Sequence, residues 1–158
     1  REVLSPPAEQ RITTESGLVV RIDYSRPSKR GRLIFGNVSE NALQPYGEYW
    51  RLGANAATVF EFSDSIMIDG TTLEPGAYGV YAFPGIDSFE IGFNQTWDRW
   101  GLTEPDFNKD VVRFKVPVEY TSTITEQFTI SLGEGNHDVR IICAWDNLRF
   151  VIPIKEIQ

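Results

Sequence analysis

Apolar residues at every second position are the feature of this sequence that most constrains its fold. Successive side chains of a β-strand point to opposite faces, so each such run has one buried face and one wetter face. We predict strands in seven segments: residues 18–24, 60–62, 89–93, 112–118, 128–132, 139–145 and 148–154. We expect nine of their apolar side chains to be buried, namely Phe60, Phe62, Phe89, Ile91, Val112, Phe114, Ile130, Ile141 and Phe150.

Short turn sequences separate these segments. Asp69-Gly70 lies between the triplets Ile66-Met67-Ile68 and Thr71-Thr72-Leu73 and is a strong hairpin signal, because glycine accepts a positive φ. Pro84-Gly85 and residues 133–136 predict two further reversals, and Asp146-Asn147 predicts a tight turn between the last two strands.

No segment has a long 3.6-residue apolar period, and only residues 39–43 and 97–102 are candidates for short helices. Many short strands, hairpin turns and no crossover helices favour an antiparallel sandwich or barrel. We expect an all-β, single-domain antiparallel β-sandwich of the jelly-roll or immunoglobulin-like type over residues 1–158. Residues 1–10 are expected to form an extended N-terminal arm.

Charge and the scarcity of cysteine and histidine exclude several classes of function. The 158 residues include 15 Lys and Arg against 22 Asp and Glu, and the net charge of −7 argues against a nucleic-acid partner. One cysteine and one histidine allow no disulfide within the chain and no Cys/His zinc site. No apolar stretch approaches the roughly 18 residues of a membrane span. The sequence predicts no cofactor and no metal site, and it leaves the oligomeric state open.

Four motifs occur in order along the chain: YSRP at residues 24–27, GRLIFG at 31–36, PYGEYWRLGAN at 45–55 and LEPGAY at 73–78. In this series the sequence resembles the domain of unknown function 2911 family, secreted bacterial proteins found largely in the Bacteroidetes group. The resemblance implies an exported, β-rich protein with a signal peptide, located in the periplasm, at the cell surface or outside the cell. It implies no activity. The family usually has a Glu after the GAN motif, where this chain has Ala56.

Two irregular regions, residues 26–55 and 94–110, interrupt the alternation and hold the candidate functional residues. The first begins with Arg26, Arg30 and Arg32, which are basic residues in an otherwise acidic protein. Arginine presents a planar fork of donors that matches carboxylate, sulfate or phosphate, so this loop is a candidate site for a small anion or an acidic glycan. The alternative is that these guanidinium groups pair with the surplus acids of the chain.

The same region contains Trp50, Arg51 and Asn55, whose side chains could stack on a ligand and hydrogen-bond to it. In a strand Trp50 and Arg51 point to opposite faces, so we expect one of them in the core. Arg51 is either a ligand contact or a buried side chain that ties loop carbonyls together, and we favour the buried tie. We also expect one connected cluster at an end of the sandwich, formed by Tyr24, Arg26, Arg32, Trp50, Arg51 and Asn55.

The second region contains Trp97 and Trp100, with Tyr46 and Tyr49 elsewhere in the chain. Exposed aromatic rings on a β-sandwich can stack on the face of a pyranose, assisted by a few polar groups. The alternative is that both tryptophans cap one end of the core, because Trp is highly buried on average.

Acidic residues supply two further candidates. Residues 106–110 (DFNKD) match the start of an EF-hand loop, but Val111 stands where glycine is required and Pro117 where the closing Glu should be. We therefore expect no EF-hand there. Glycosidases need two carboxyl groups, yet nothing in the sequence pairs the available acids, and we assign no catalytic residue.

These features predict a non-enzymatic binding module for a saccharide or a small anionic ligand. Two alternatives stay open: a carboxylate-dependent glycan hydrolase, and a structural or protein-interaction module at the cell surface. Binding and hydrolysis need a concave cleft, whereas the third function predicts a flat apolar patch or an exposed sheet edge. The candidate ligand-binding residues are Arg26, Arg30, Arg32, Trp50, Arg51, Asn55, Trp97 and Trp100.

Overall fold

The computed structural model describes residues 4–100 and 103–157, and within them the chain is almost entirely strand. Two single-turn 3-10 helices, Val38–Glu40 and Phe107–Lys109, are the helical elements of this part of the chain. The strands are β1 (Pro7–Thr13), β2 (Val19–Ser25), β3 (Phe35–Gly36), β4 (Gln44–Pro45), β5 (Thr58–Phe62), β6 (Ile66–Ile68), β7 (Thr71–Leu73), β8 (Gly76–Phe83), β9 (Ser88–Asn94), β10 (Asp110–Pro117), β11 (Glu119–Glu134) and β12 (Asp138–Glu156).

The strands form two antiparallel sheets packed as a β-sandwich, which confirms the predicted fold class. Sheet A has six strands in the order β1-β2-β5-β8-β9-β10, and sheet B has four in the order β11-β12-β6-β7. A small parallel pair, β3-β4, lies outside both sheets. None of the helical turns described has the length or hydropathy to cross a membrane.

The inward residues of both sheets pack into one hydrophobic core. Eight of the nine side chains expected to be buried are buried. Val112 is only half-buried, because a bulge between Asp110 and Val112 shifts the register of β10 against β9. Full burial of one such side chain stabilises the fold by about 1.5–3 kcal/mol, so this shared core holds the two sheets together.

Three of the four predicted reversals are present. Asp69-Gly70 joins β6 to β7, Pro84-Gly85 lies between β8 and β9, and residues 135–137 join β11 to β12. The turn predicted at Asp146-Asn147 is wrong, because β12 continues through it from Asp138 to Glu156.

Asp146 instead marks an irregular point in the pairing of β12 with β11. The residue has a φ of 55°, and the register shifts on both sides of its pairing with Thr125. Its carboxylate binds the Lys29 ammonium at 3.0 Å. A left-handed residue is compatible with a bulge as well as with a reversal, so the two predicted final strands are one long strand.

The two short helices and the N-terminal arm are only partly as expected. The 3-10 turn Val38–Glu40 overlaps the candidate at residues 39–43. Residues 97–100 are not helical, so that prediction is wrong where it can be compared, and positions 101–102 lie outside the described residues. Part of the N-terminal arm is a strand, since β1 pairs with β2 at the edge of sheet A.

Candidate functional site

Residues 95–100 cross the outer face of sheet A, the face turned away from the core. A side chain at Gly79 would clash with the backbone carbonyl of Thr96, so the segment lies directly against β8 there. Further along, the Ala57 amide donates a 2.9 Å hydrogen bond to the carbonyl of Arg99. The segment is therefore held on the sheet by backbone contacts, and its side chains are free to project away from it.

Aromatic rings and an arginine form a second packed layer beside this segment. The Arg113 guanidinium lies 5.0 Å from the ring centroids of Phe83 and Phe107 and 5.6 Å from that of Tyr81. Gly92, opposite Tyr81 on the neighbouring strand, leaves room for the tyrosine ring to lie across β9. We call these four side chains, Phe83, Phe107, Tyr81 and Arg113, the outer aromatic layer.

A hydrogen-bond network fixes the outer aromatic layer. The Tyr81 hydroxyl donates to the Asp110 carboxylate and accepts from the Arg113 guanidinium at 2.9 Å. Burial, and then the hydrogen bond to Asp110, raise the pKa of Tyr81 well above its ordinary value. Asn94 donates to the other Asp110 oxygen at 2.9 Å.

The acids of the run at residues 106–110 therefore have structural partners. Asp106 caps the 3-10 turn by accepting from the Asn108 amide at 3.0 Å, and Asp110 belongs to the network around Tyr81. Within residues 4–100 and 103–157 no three His, Cys, Asp or Glu side chains are grouped so that they could hold a metal ion.

Arg99 fixes residues 95–100, which we call the crossing segment, by bonding to residues outside it. Its Nη1 donates to the Tyr49 hydroxyl at 2.8 Å and to the Thr103 carbonyl, and its guanidinium lies 5.6 Å from the centre of the Tyr49 ring. Burial raises the pKa of Tyr49, although the hydrogen bond from Arg99 opposes this effect. The neighbours of Arg99, Trp97 and Trp100, are exposed.

A pocket of about 350 Å³ opens beside these two tryptophans, and we call it the tryptophan pocket. Trp97 is 49% exposed and Trp100 72% exposed, so neither caps the core. Asp23 and Asp98 place carboxylates on its wall, and the ends of β1 and β2 complete it. Its wall also includes Ala56, the position at which the family resemblance leads one to expect a Glu.

Trp50 lies in the core, where it cannot contact a surface ligand. It is 2% exposed, packs 5.0 Å from Phe128 and 5.9 Å from Trp145 between ring centroids, and pairs through its backbone with Ala82 of β8. The expectation that one member of the Trp50 and Arg51 pair is in the core is therefore correct. Arg51 is half-buried rather than the buried tie we favoured.

The loop that contains Arg26, Arg30 and Arg32, which we call the basic loop, bonds to β11 and to its own backbone rather than lining a cleft. Arg26 donates from Nε to the Phe128 carbonyl at 3.1 Å and from Nη2 to the Thr129 hydroxyl at 2.9 Å. The Arg32 guanidinium donates to the carbonyls of Ser28 and Lys29 in its own loop, at 2.6 and 3.0 Å. Two nitrogens of the Arg26 guanidinium and two of the Arg32 guanidinium are therefore already bonded to oxygens of the protein.

Arg30 and Asn55 are exposed; Arg30 makes a contact through its backbone, and Asn55 makes one through its side chain. The Arg30 amide donates to the Glu126 carboxylate at 2.9 Å, while the Asn55 side chain donates to the Ser5 carbonyl at 3.3 Å. The single cluster expected at one end of the sandwich is accordingly divided. Tyr24, Arg26 and Trp50 all contact Phe128, whereas Arg32 and Asn55 bond elsewhere.

A second, larger cavity of about 640 Å³ lies at the β9–β10 side of sheet A, and sequence reasoning missed it. Tyr46 and Ile86 line it together with Glu90, Arg113 and Lys115. Arg113 approaches Glu90 to 3.6 Å, and Lys115 pairs with Glu90 across the strands, so opposite charges lie side by side. The only sequence signal was the polar alternation of β10.

Comparison with known proteins supports a family but no activity. No curated protein and no solved structure gives a significant match to the chain. The family described as "Protein of unknown function (DUF2911)" matches residues 5–154, nearly the whole chain. The chain therefore belongs to the DUF2911 family.

Proposed function

We propose that this protein is a non-enzymatic module that binds saccharides in the tryptophan pocket. The observation that carries the proposal is the pair of exposed indoles, Trp97 and Trp100, beside a pocket that also holds two carboxylates. Export to the periplasm or the cell surface, which the family resemblance implies, is part of the same proposal.

The indole rings supply the kind of surface on which a pyranose stacks. A sugar ring presents a face of C–H groups that packs against an aromatic ring, while its hydroxyls need a few polar partners at the edge. Asp23 and Asp98 offer acceptors for such hydroxyls. The volume of about 350 Å³ is within the range of roughly 300–1,000 Å³ found for small-molecule sites.

The hydrogen bonds that fix the crossing segment favour binding, because they lower the conformational entropy that the segment loses when a ligand binds. Arg99 is bonded to Tyr49 and Thr103, and the carbonyl of Arg99 accepts from Ala57. A site whose backbone is already fixed loses less conformational freedom when a ligand binds, so more of the contact energy contributes to affinity.

The contacts of the basic loop weigh against the anion alternative. Arg26 and Arg32 direct their guanidinium groups to carbonyl oxygens and a hydroxyl of the protein. An anion would have to break these hydrogen bonds before it could use the same donors. We therefore place the ligand at the tryptophans rather than at the arginines.

The test is a calorimetric titration of the protein with a panel of neutral and charged oligosaccharides. We expect at least one to bind, and Trp97→Ala/Trp100→Ala to weaken its binding at least ten-fold. Tyr120→Ala is the matched control, because Tyr120 is 52% exposed and does not line the tryptophan pocket. Binding that survives the double substitution would refute the proposal, and release of reducing sugar during the titration would favour the hydrolase alternative.

A further inference from the structure

We propose that the tryptophan pocket selects a cationic saccharide, one whose hexosamine units carry free ammonium groups, over neutral and acidic ones of the same size. This inference rests on the proposed saccharide-binding function. It follows from the charges that the pocket presents to a ligand.

Two acids and one arginine line the tryptophan pocket. Asp23 and Asp98 line it, Asp98 is exposed, and the Asp23 side chain is 47% exposed. Arg99 also lines the pocket, but its guanidinium turns toward Tyr49 and Thr103. The Nε and Nη2 atoms of Arg99 are buried, so a ligand in the pocket cannot accept a hydrogen bond from them.

The surface of sheet A that leads to the pocket continues this acidic character. Glu9 and Asp23 pair across β1 and β2 on the outer face, and Glu61 follows on β5. The cations in this patch are Arg21 and the neighbouring Arg11, and Arg21 is bound to Asp23 at 3.1 Å and to Glu9 at 3.5 Å. The three acids and two bases leave this patch with a net charge of −1, in a protein whose net charge is −7.

Indole rings add a second attraction for an ammonium group. A cation within about 6 Å of the face of a tryptophan ring is attracted by the ring quadrupole, and Trp is the strongest side chain in this respect. Trp97 and Trp100 are exposed, and Asp98 lines the pocket with them, so its carboxylate would also attract the cation. A carboxylate-bearing sugar would instead be repelled by the same acids.

The experiment compares three tetrasaccharides of equal length by calorimetry at low salt and pH 6: glucosamine, N-acetylglucosamine and galacturonic acid oligomers. We expect the glucosamine oligomer to bind at least ten-fold more tightly than the N-acetylated one and the acidic oligomer to bind most weakly. The preference should shrink at 0.5 M salt, because screening weakens attraction between exposed charges. It should also vanish above the pKa of the sugar amine.

Substitutions of single acids test which carboxylates cause the preference for the glucosamine oligomer. Asp98→Asn and Asp23→Asn should each reduce the preference for the glucosamine oligomer several-fold while leaving the thermal midpoint nearly unchanged. Asp64→Asn, an exposed acid away from the pocket, is the control and should change nothing.

The outcomes separate this inference from the proposed function. Equal affinity for the three oligomers, with loss of all binding in Trp97→Ala/Trp100→Ala, would overturn the charge selection and leave saccharide binding intact. Tighter binding of the acidic oligomer would also overturn it. Absence of binding to all three, and to the wider panel above, would overturn both.

Discussion

The two irregular regions, residues 26–55 and 94–110, each contribute tryptophan, and the structure uses them in opposite ways. Trp50 of the first is 2% exposed, and Trp100 of the second is 72% exposed. At Trp50 the first region forms one isolated bridge with Ala82 of β8, and the Trp50 side chain lies in the core. The second lies across the outer face. The path of the backbone, rather than residue type, decides which tryptophan is available to a ligand.

Hydrogen bonds distinguish the two regions in the same way. The basic loop of the first region bonds to β11, with the Lys29 amide donating to Glu126 and the Phe128 amide to Pro27. In the second region, residues 95–100 contact sheet A through the bridge between Ala56 and Trp100, the adjoining hydrogen bond between Ala57 and Arg99, and the close approach of Thr96 to Gly79. We therefore expect the first region to contribute to stability and the second to recognition.

The largest expected effect is the difference between two tryptophan substitutions. Trp50→Ala should lower the free energy of unfolding by about 3–5 kcal/mol, because it leaves a cavity among packed aromatic rings. Trp100→Ala should change it by less than about 0.5 kcal/mol, because the ring is on the surface. Urea unfolding of the two variants measures both. Similar losses for the two variants would contradict the division between the regions.

An intermediate effect is expected in the outer aromatic layer, which includes Phe107 of the second region. Tyr81→Phe should destabilise the protein by about 1–3 kcal/mol, because it removes the group that donates to Asp110 and accepts from Arg113. Tyr120→Phe is the control, since its exposed hydroxyl makes one hydrogen bond, to the Ile86 carbonyl at 2.7 Å. Thermal unfolding of the two variants should show a clear loss only for Tyr81→Phe, and equal losses would mean that the layer is not a fixed unit.

The smallest effect lies far from both regions, where Glu156 joins the β1–β2 turn to the end of β12. Its carboxylate accepts from the hydroxyls of Ser16 at 2.6 Å and Thr14 at 2.5 Å, and these bonds lower its pKa. The ionised form is thus the stabilising one. Its contribution is complete above the unfolded pKa of about 4.3 and is lost as the pH falls through the lower folded value.

Glu156→Gln should therefore cost about 1 kcal/mol at pH 7, the usual size for such hydrogen bonds. The variant should also lose less stability than the parent protein between pH 5 and pH 2. Glu48→Gln, an exposed acid, is the control and should follow the parent curve. A Glu156→Gln curve parallel to that of the parent would show that this carboxylate does not link folding to pH.

Most strands could be predicted because alternation is a local property of the sequence. Buried positions such as Phe60 and Ile141 are specified by their neighbours two residues away. The continuation of β12 through Asp146 could not be predicted, because Asp-Asn suits a bulge and a reversal equally. Here the pairing with β11 and the contact to Lys29, 117 residues away, decide between them.

The candidate site was only partly predictable for a related reason. The sequence marks Trp97 and Trp100 as aromatic candidates, but core and surface tryptophans look alike in a loop. Their exposure depends on Arg99, whose partner Tyr49 is 50 residues away in the sequence, and on the room above Gly79. In the basic loop the sequence predicted an anion site where Arg26 and Arg32 bond to the protein itself. The sequence does not distinguish an arginine that binds carbonyl groups from one that binds an anion.

The most direct test of the account follows the four tryptophan indole N–H signals by nuclear magnetic resonance during titration with the oligosaccharide panel. The indoles of Trp50 and Trp145 donate to the carbonyls of Gly53 and Glu126 and are buried, so they should exchange slowly with solvent and keep their shifts. The signals of Trp97 and Trp100 should move together as ligand binds. Shifts confined to the buried pair, or four signals that stay constant at millimolar saccharide, would contradict the account.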